Sequence, residues 1–89
     1  MSGRFTWSVA TPDGTVAAGE SEFLVVPTTG GELGVMADHA PLVACVAPGE
    51  LRVTNPDATV RAISVGSGVV EIRDNEVRLL VSQAVKPAG

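Results

Sequence analysis

One histidine, His39, and one cysteine, Cys45, stand in the glycine- and proline-rich stretch between Gly30 and Pro48. These residue types hold metals or act as nucleophiles. A zinc site needs typically three or four convergent Cys, His or carboxylate ligands, which one His and one Cys do not supply. Cys45 lies inside Val43-Ala44-Cys45-Val46 with no cation beside it in sequence. That setting predicts a small buried thiol rather than an activated thiolate. Asp38-His39 holds two members of a catalytic triad, but adjacent loop residues seldom point at one target, and no serine occupies a Gly-x-Ser-x-Gly elbow. Gly66-Ser67-Gly68 is flanked by apolar strand sequence, so it lacks the helix N-terminus that makes a phosphate cradle. The only lysine, Lys86, lies outside any phosphate-loop pattern. No catalytic residue, metal or cofactor is expected.

The elements that carry these residues read as strands. Fifteen valines, seven threonines and two isoleucines outweigh six leucines, and β-branched side chains pack well on pleated sheets while losing rotamer freedom in helices. Ten glycines and six prolines punctuate the chain. The 89 residues are enough for one domain, expected over 1–89 with an ordered core at about 4–82 and a tail at 83–89. The net charge of −4 and six scattered basic residues exclude the clustered cations that a nucleic-acid backbone requires. No apolar run approaches the roughly 20 residues that span a bilayer. The opening Arg4-Phe5-Thr6-Trp7-Ser8 alternates and is too polar for a secretory signal. With its lone cysteine, the chain reads as a cytoplasmic protein.

Along the chain, Phe5, Trp7 and Val9 alternate with polar neighbours as a half-buried strand should. Thr11-Pro12-Asp13-Gly14 is a turn, Thr15–Ala18 read as a weak strand, and Gly19 is expected to mark a bulge or bend. Ser21–Val26, Leu33–Val35, Leu42–Ala47, Leu51–Thr54, Thr59–Val65, Val69–Arg73 and Val77–Val81 read as further strands. Asp74-Asn75 fits a two-residue hairpin link, since both types tolerate positive φ. Turn signals at this spacing predict a small antiparallel β-sandwich or flattened barrel of about nine or ten short strands. Phe23-Leu24-Val25-Val26, Val69-Val70 and Leu79-Leu80-Val81 are apolar on both faces. Either loops cover the outer faces or another protein does.

In order and spacing, several blocks resemble the epsilon subunit of F-type ATP synthases. Val9-Ala10-Thr11-Pro12-Asp13-Gly14 is similar to that family's first strand and turn, and Phe23-Leu24-Val25-Val26-Pro27 to its next strong strand. Gly31-Glu32-Leu33-Gly34-Val35 followed by His39-Ala40-Pro41-Leu42 resembles its most recognisable block. Pro48-Gly49 with Leu51-Arg52-Val53 follows at the matching distance, and Val65–Ile72 resembles a Val-Ser-Gly-Gly stretch with the strand after it. The family usually carries Pro-Gly before the histidine, where Ala37-Asp38 stands here. Aspartate accepts positive φ better than most residues, so the loop is expected to persist. The family commonly continues into a helical hairpin. Here Ser82-Gln83-Ala84-Val85 is expected to begin a helical turn capped by Ser82, with Pro87 and Gly89 opposing continuation.

The resemblance implies the sandwich domain alone, without the hairpin's regulatory roles. It implies a non-catalytic rotor subunit of a proton-translocating ATP synthase that binds the gamma subunit and the c-subunit rotor ring, coupling rotation to ATP synthesis. By match to the family block, Glu32, Met36, Asp38 and His39 would meet the ring. Leu24, Val26 and Leu80 would offer outer apolar surface to gamma. The place implied is the cytoplasmic face of the bacterial inner membrane, peripheral and not inserted. The alternative is a stand-alone sandwich that binds a protein, peptide or carbohydrate. It predicts an aromatic-lined groove, for which one tryptophan, two phenylalanines and no tyrosine are a poor supply.

Overall fold

The computed structural model describes residues 3–85. Ten strands follow one another: β1 (Phe5–Thr11), β2 (Gly14–Ser21), β3 (Phe23–Thr28), β4 (Gly31–Val35), β5 (Leu42–Val46), β6 (Gly49–Thr54), β7 (Val60–Val65), β8 (Gly68–Arg73), β9 (Glu76–Val81) and β10 (Ala84–Val85). They hydrogen-bond in the order β10-β7-β6-β3-β5-β8-β9-β1-β2, with β4 paired on β3. The sheet folds over on itself as the expected all-β sandwich. Pairs are antiparallel except β1 with β9, which run parallel. No hairpin joins these two strands, so no turn dictates their relative direction.

Alternation builds the core. β9 exposes Glu76, Arg78 and Leu80 and buries Val77, Leu79 and Val81. Phe5, Trp7 and Val9 enter from β1, Leu24 and Val26 from β3, Leu51 and Val53 from β6, and Val70 and Ile72 from β8. Each such side chain contributes about 1.5–3 kcal/mol when fully buried. The Asp74-Asn75 link has φ of 52° and 61° at its two residues, as a type I′ hairpin requires.

Sequence and structure part at two places in this framework. The bulge in β2 lies at Val16, where Val9 faces Ala17 and Ala10 faces Thr15, while Gly19 pairs regularly with Trp7. Ser82–Val85 forms no helical turn. Ala84 and Val85 pair with Val65 and Ser64, carrying the ordered sheet past residue 82. Ser82 N–H donates to the Ser67 carbonyl and Gly66 N–H to the Gln83 carbonyl, so those groups are engaged outside a helix. Pro87 and Gly89 lie outside the described residues.

Ser21 is the buried polar hub between β2 and β3. Its one hydroxyl proton is shared between the Thr54 carbonyl at 2.7 Å and the Phe23 carbonyl at 2.9 Å, and its oxygen accepts from Phe23 N–H at 3.0 Å. Ser21→Ala leaves those backbone groups short of a partner in a fully buried site. A loss of about 1–3 kcal/mol is expected. Chemical denaturation checks it, and an unchanged midpoint would contradict the hub.

Candidate functional site

Two outward surfaces carry Glu32, Met36, Asp38, His39 and Leu80. The first begins on β4, where Leu33 and Val35 turn inward, so Glu32 and Met36 face outward. Four residues of strand set them about 13 Å apart. Glu32 is not a bare carboxylate: Arg52 of β6 donates to its Oε2 at 3.0 Å. Both partners are exposed, so the pair contributes at most about 1 kcal/mol and can be exchanged for another cation.

Beyond β4 the chain enters the loop of Met36 to Pro41. Asp38 adopts φ of 63°, the left-handed conformation that aspartate accepts better than most residues. His39 Nδ1 lies 2.7 Å from the Ala40 carbonyl. A carbonyl only accepts, so Nδ1 carries the proton and Nε2 remains as the outer nitrogen. Phe23, Met36 and Ala37 form the apolar floor of a groove of about 700 Å³ beside this loop, with Glu22 and Asp38 as acidic groups on its lining.

The second surface is the outer face of β5, β8, β9 and β1. Cys45 pairs with Val69, Val69 with Leu80, and Leu80 with Ala10. They form one apolar row across four strands, about 14 Å long at ordinary strand spacing. Leu80 is 55% exposed, Val69 41%, and Val43, two residues along β5 from Cys45, 66%. The neighbouring row begins with Val43 on β5 and continues as the polar Glu71, Arg78 and Ser8. Scattered surface leucines are ordinary, whereas contiguous exposed apolar surface is a feature of contact faces.

Several expected positions are corrected here. Leu24 and Val26 are 0% exposed and point into the core, so neither offers outer surface; of the three residues expected there, only Leu80 does. Cys45 is exposed rather than buried, because β5 buries Val46 and alternation turns its neighbour outward. The sequence reading missed Val43 as a surface residue and Arg52 as the partner of Glu32, and of Val69-Val70 the structure turns Val69 outward.

Elsewhere, the Asn55–Thr59 turn holds the Asp57 carboxyl below the usual carboxylate range through hydrogen bonds from the Thr59 hydroxyl and backbone N–H. Trp7 Nε1 is buried without a hydrogen-bond partner among the described residues, and the Arg61 guanidinium lies 5.4 Å from its ring centroid. Among the described residues, no group of three or more His, Cys, Asp or Glu could hold a metal ion. Among the same residues, no helix is long and apolar enough to cross a membrane.

Comparison with known proteins decides the family. Residues 4–87 match the family described as ATP synthase, Delta/Epsilon chain, beta-sandwich domain. The chain belongs to this ATP synthase delta/epsilon family. The ATP synthase epsilon chain of Desulfitobacterium hafniense (strain DSM 10664 / DCB-2) is 39% identical over 84 residues, covering 94% of this chain and 63% of that protein. That of Shouchella clausii (strain KSM-K16) is 42% identical over 80 residues, covering 90% and 59%. The chain therefore spans less than two thirds of the length of these epsilon-chain relatives. Its fold is similar to a chain in the cryo-EM structure of the Euglena gracilis mitochondrial ATP synthase, with TM-score 0.84, 23% identity and coverage of 90% and 51%. It is also similar to one in the Tetrahymena thermophila mitochondrial ATP synthase central stalk and c-ring, with TM-score 0.71, 17% identity and coverage of 91% and 65%. As members of the delta/epsilon family, the chain and these epsilon relatives share the β-sandwich that carries both outward surfaces.

Proposed function

We propose that the chain is a non-catalytic, epsilon-type rotor subunit of a proton-translocating F-type ATP synthase. It is peripheral to the cytoplasmic face of a bacterial plasma membrane and sits between the gamma subunit and the c-subunit ring. The observation that carries this reading is the apolar row Cys45–Val69–Leu80–Ala10 on a sandwich of this family. That row, with Val43, is the gamma-facing surface. The loop bearing Asp38 and His39, with Met36 and Glu32 on the adjoining strand, is the ring-facing surface. A sheet hydrogen-bonded across nearly every strand suits the role, since torque must pass through the module rather than be stored in it.

The alternative of a stand-alone binding module needs aromatic surface. Phe5 and Trp7 are buried, which leaves Phe23 as the one aromatic residue at the surface. Affinity purification of the tagged chain from detergent-solubilised membranes tests the proposal. Recovery of gamma and ring is expected; recovery of neither contradicts it.

Charge reversal at Glu32 separates the ring contact from folding. Glu32→Lys puts a cation against Arg52 at an exposed site, so the isolated chain should lose under about 1 kcal/mol. Association with the ring should weaken roughly three- to tenfold, the scale of a rim ion pair. Undiminished ring association, with proton pumping intact in membrane vesicles, would remove Glu32 from the contact.

A further inference from the structure

Three segments distant in sequence meet at one side-chain amide. Asn75 Oδ1 accepts the Asp38 N–H at 2.8 Å, Asn75 Nδ2 donates to the Arg4 carbonyl at 2.8 Å, and the Asn75 carbonyl accepts the Thr6 N–H at 3.2 Å. The amide thus joins the loop after β4, the β8–β9 turn and the chain entering β1. Among the described residues, this is the hydrogen bond that fastens the backbone of the Asp38–His39 loop to the rest of the sheet; the His39 ring bond stays within the loop. Asp38 sits at φ of 63°, a conformation that is unfavourable for a residue with a side chain and persists where its surroundings hold it.

The residue type at 75 matters for two separate reasons. The turn needs φ of 61° there, which glycine, asparagine and aspartate accept. The bridge needs one acceptor and one donor on the same short side chain, which among these three only asparagine provides. A residue chosen for the turn alone would not need the amide.

We propose that Asn75 is the positioning residue of the partner-facing loop. Its amide fixes Asp38, and through Asp38 the direction in which His39 and the wall of the adjoining groove are presented. The inference rests on the reading of that loop as the ring contact. A loop held before binding loses less conformational freedom on binding, so the clamp raises affinity without touching the partner.

The test compares Asn75→Gly, which keeps the turn and removes the amide, with Asn75→Asp, which keeps the acceptor for Asp38 N–H and loses the donor. Two quantities are measured on the full-length chain: hydrogen exchange of the Asp38 amide, with the Val77 amide as control for the fold, and association with detergent-solubilised ring. Asn75→Gly should speed exchange at Asp38 by about tenfold with Val77 unaffected, and weaken ring association about five- to tenfold, the scale of one hydrogen bond. Asn75→Asp should retain most of the Asp38 protection. Equal Asp38 exchange in the native chain and Asn75→Gly overturns the clamp. Faster exchange with unchanged ring association overturns its role in positioning. Failure of the native chain itself to bind the ring defeats the functional reading, while the exchange rates still decide the clamp.

Discussion

Leu80→Asp is expected to weaken binding to gamma about a hundredfold while leaving the sandwich folded. Leu80 is 55% exposed and lies between Val69 and Ala10 in the outer row, so in the free chain the carboxylate stays in water. In a complex that covers the row, the same carboxylate is buried among the apolar groups of the row. An unpaired buried charge costs about 3 kcal/mol or more, roughly a hundredfold in affinity. Its sequence neighbour provides the contrast. Leu79 is fully buried, and Leu79→Asp should prevent folding altogether. Calorimetric titration against gamma, with circular dichroism for the fold, separates the two. Affinity within about threefold of native for Leu80→Asp, well short of the loss of an interface contact, would remove this face from the gamma contact.

Gly68→Ala should be the most destabilising single-methyl change in the chain. Gly68 pairs with Val46 on one side and Val81 on the other. A Cβ there falls inside contact distance of the Leu80 carbonyl oxygen, 2.7 Å from Val81 Cα and 2.9 Å from the Leu80 carbonyl carbon. These are backbone atoms of a central strand and cannot rotate away. Relief requires pulling β8 from β9, for a loss of about 3 kcal/mol from a domain whose whole stability is on the order of 5–13 kcal/mol. The melting temperature should fall by roughly 10–20 °C. Gly30→Ala is the matched control, since its nearest neighbour is the Thr28 hydroxyl at 3.9 Å. A fall of less than about 2 °C for Gly68→Ala would contradict the close approach.

Much of this was legible where polar residues mark the outer face. Glu76 and Arg78 fix the parity of β9, so Leu80 must point out with them. The Asp74-Asn75 turn and the tolerance of Asp38 for positive φ followed from residue type alone. β3 gave no such guide. Phe23-Leu24-Val25-Val26 contains no polar residue to set parity, and the bend at Glu22 breaks the alternation that would have carried it from β2. That is why Leu24 and Val26 were expected outside and lie inside. Cys45 was misjudged because β5 pairs with β8 across a long connection, and register between distant strands leaves no local trace. The Asn75 bridge was hidden for the same reason: its partners Arg4 and Asp38 belong to other segments.

The chain holds one cysteine, exposed at one end of the apolar row, so thiol labelling reads the central claim at a single native position. The rate at which a maleimide modifies Cys45 is to be compared in the isolated chain and in the assembled synthase. The account predicts ready modification in isolation, strong protection on assembly, and cross-linking to gamma from a short thiol-reactive linker. Equal rates in both states, or cross-linking from Cys45 to the ring alone, would contradict the placement of this face against the stalk.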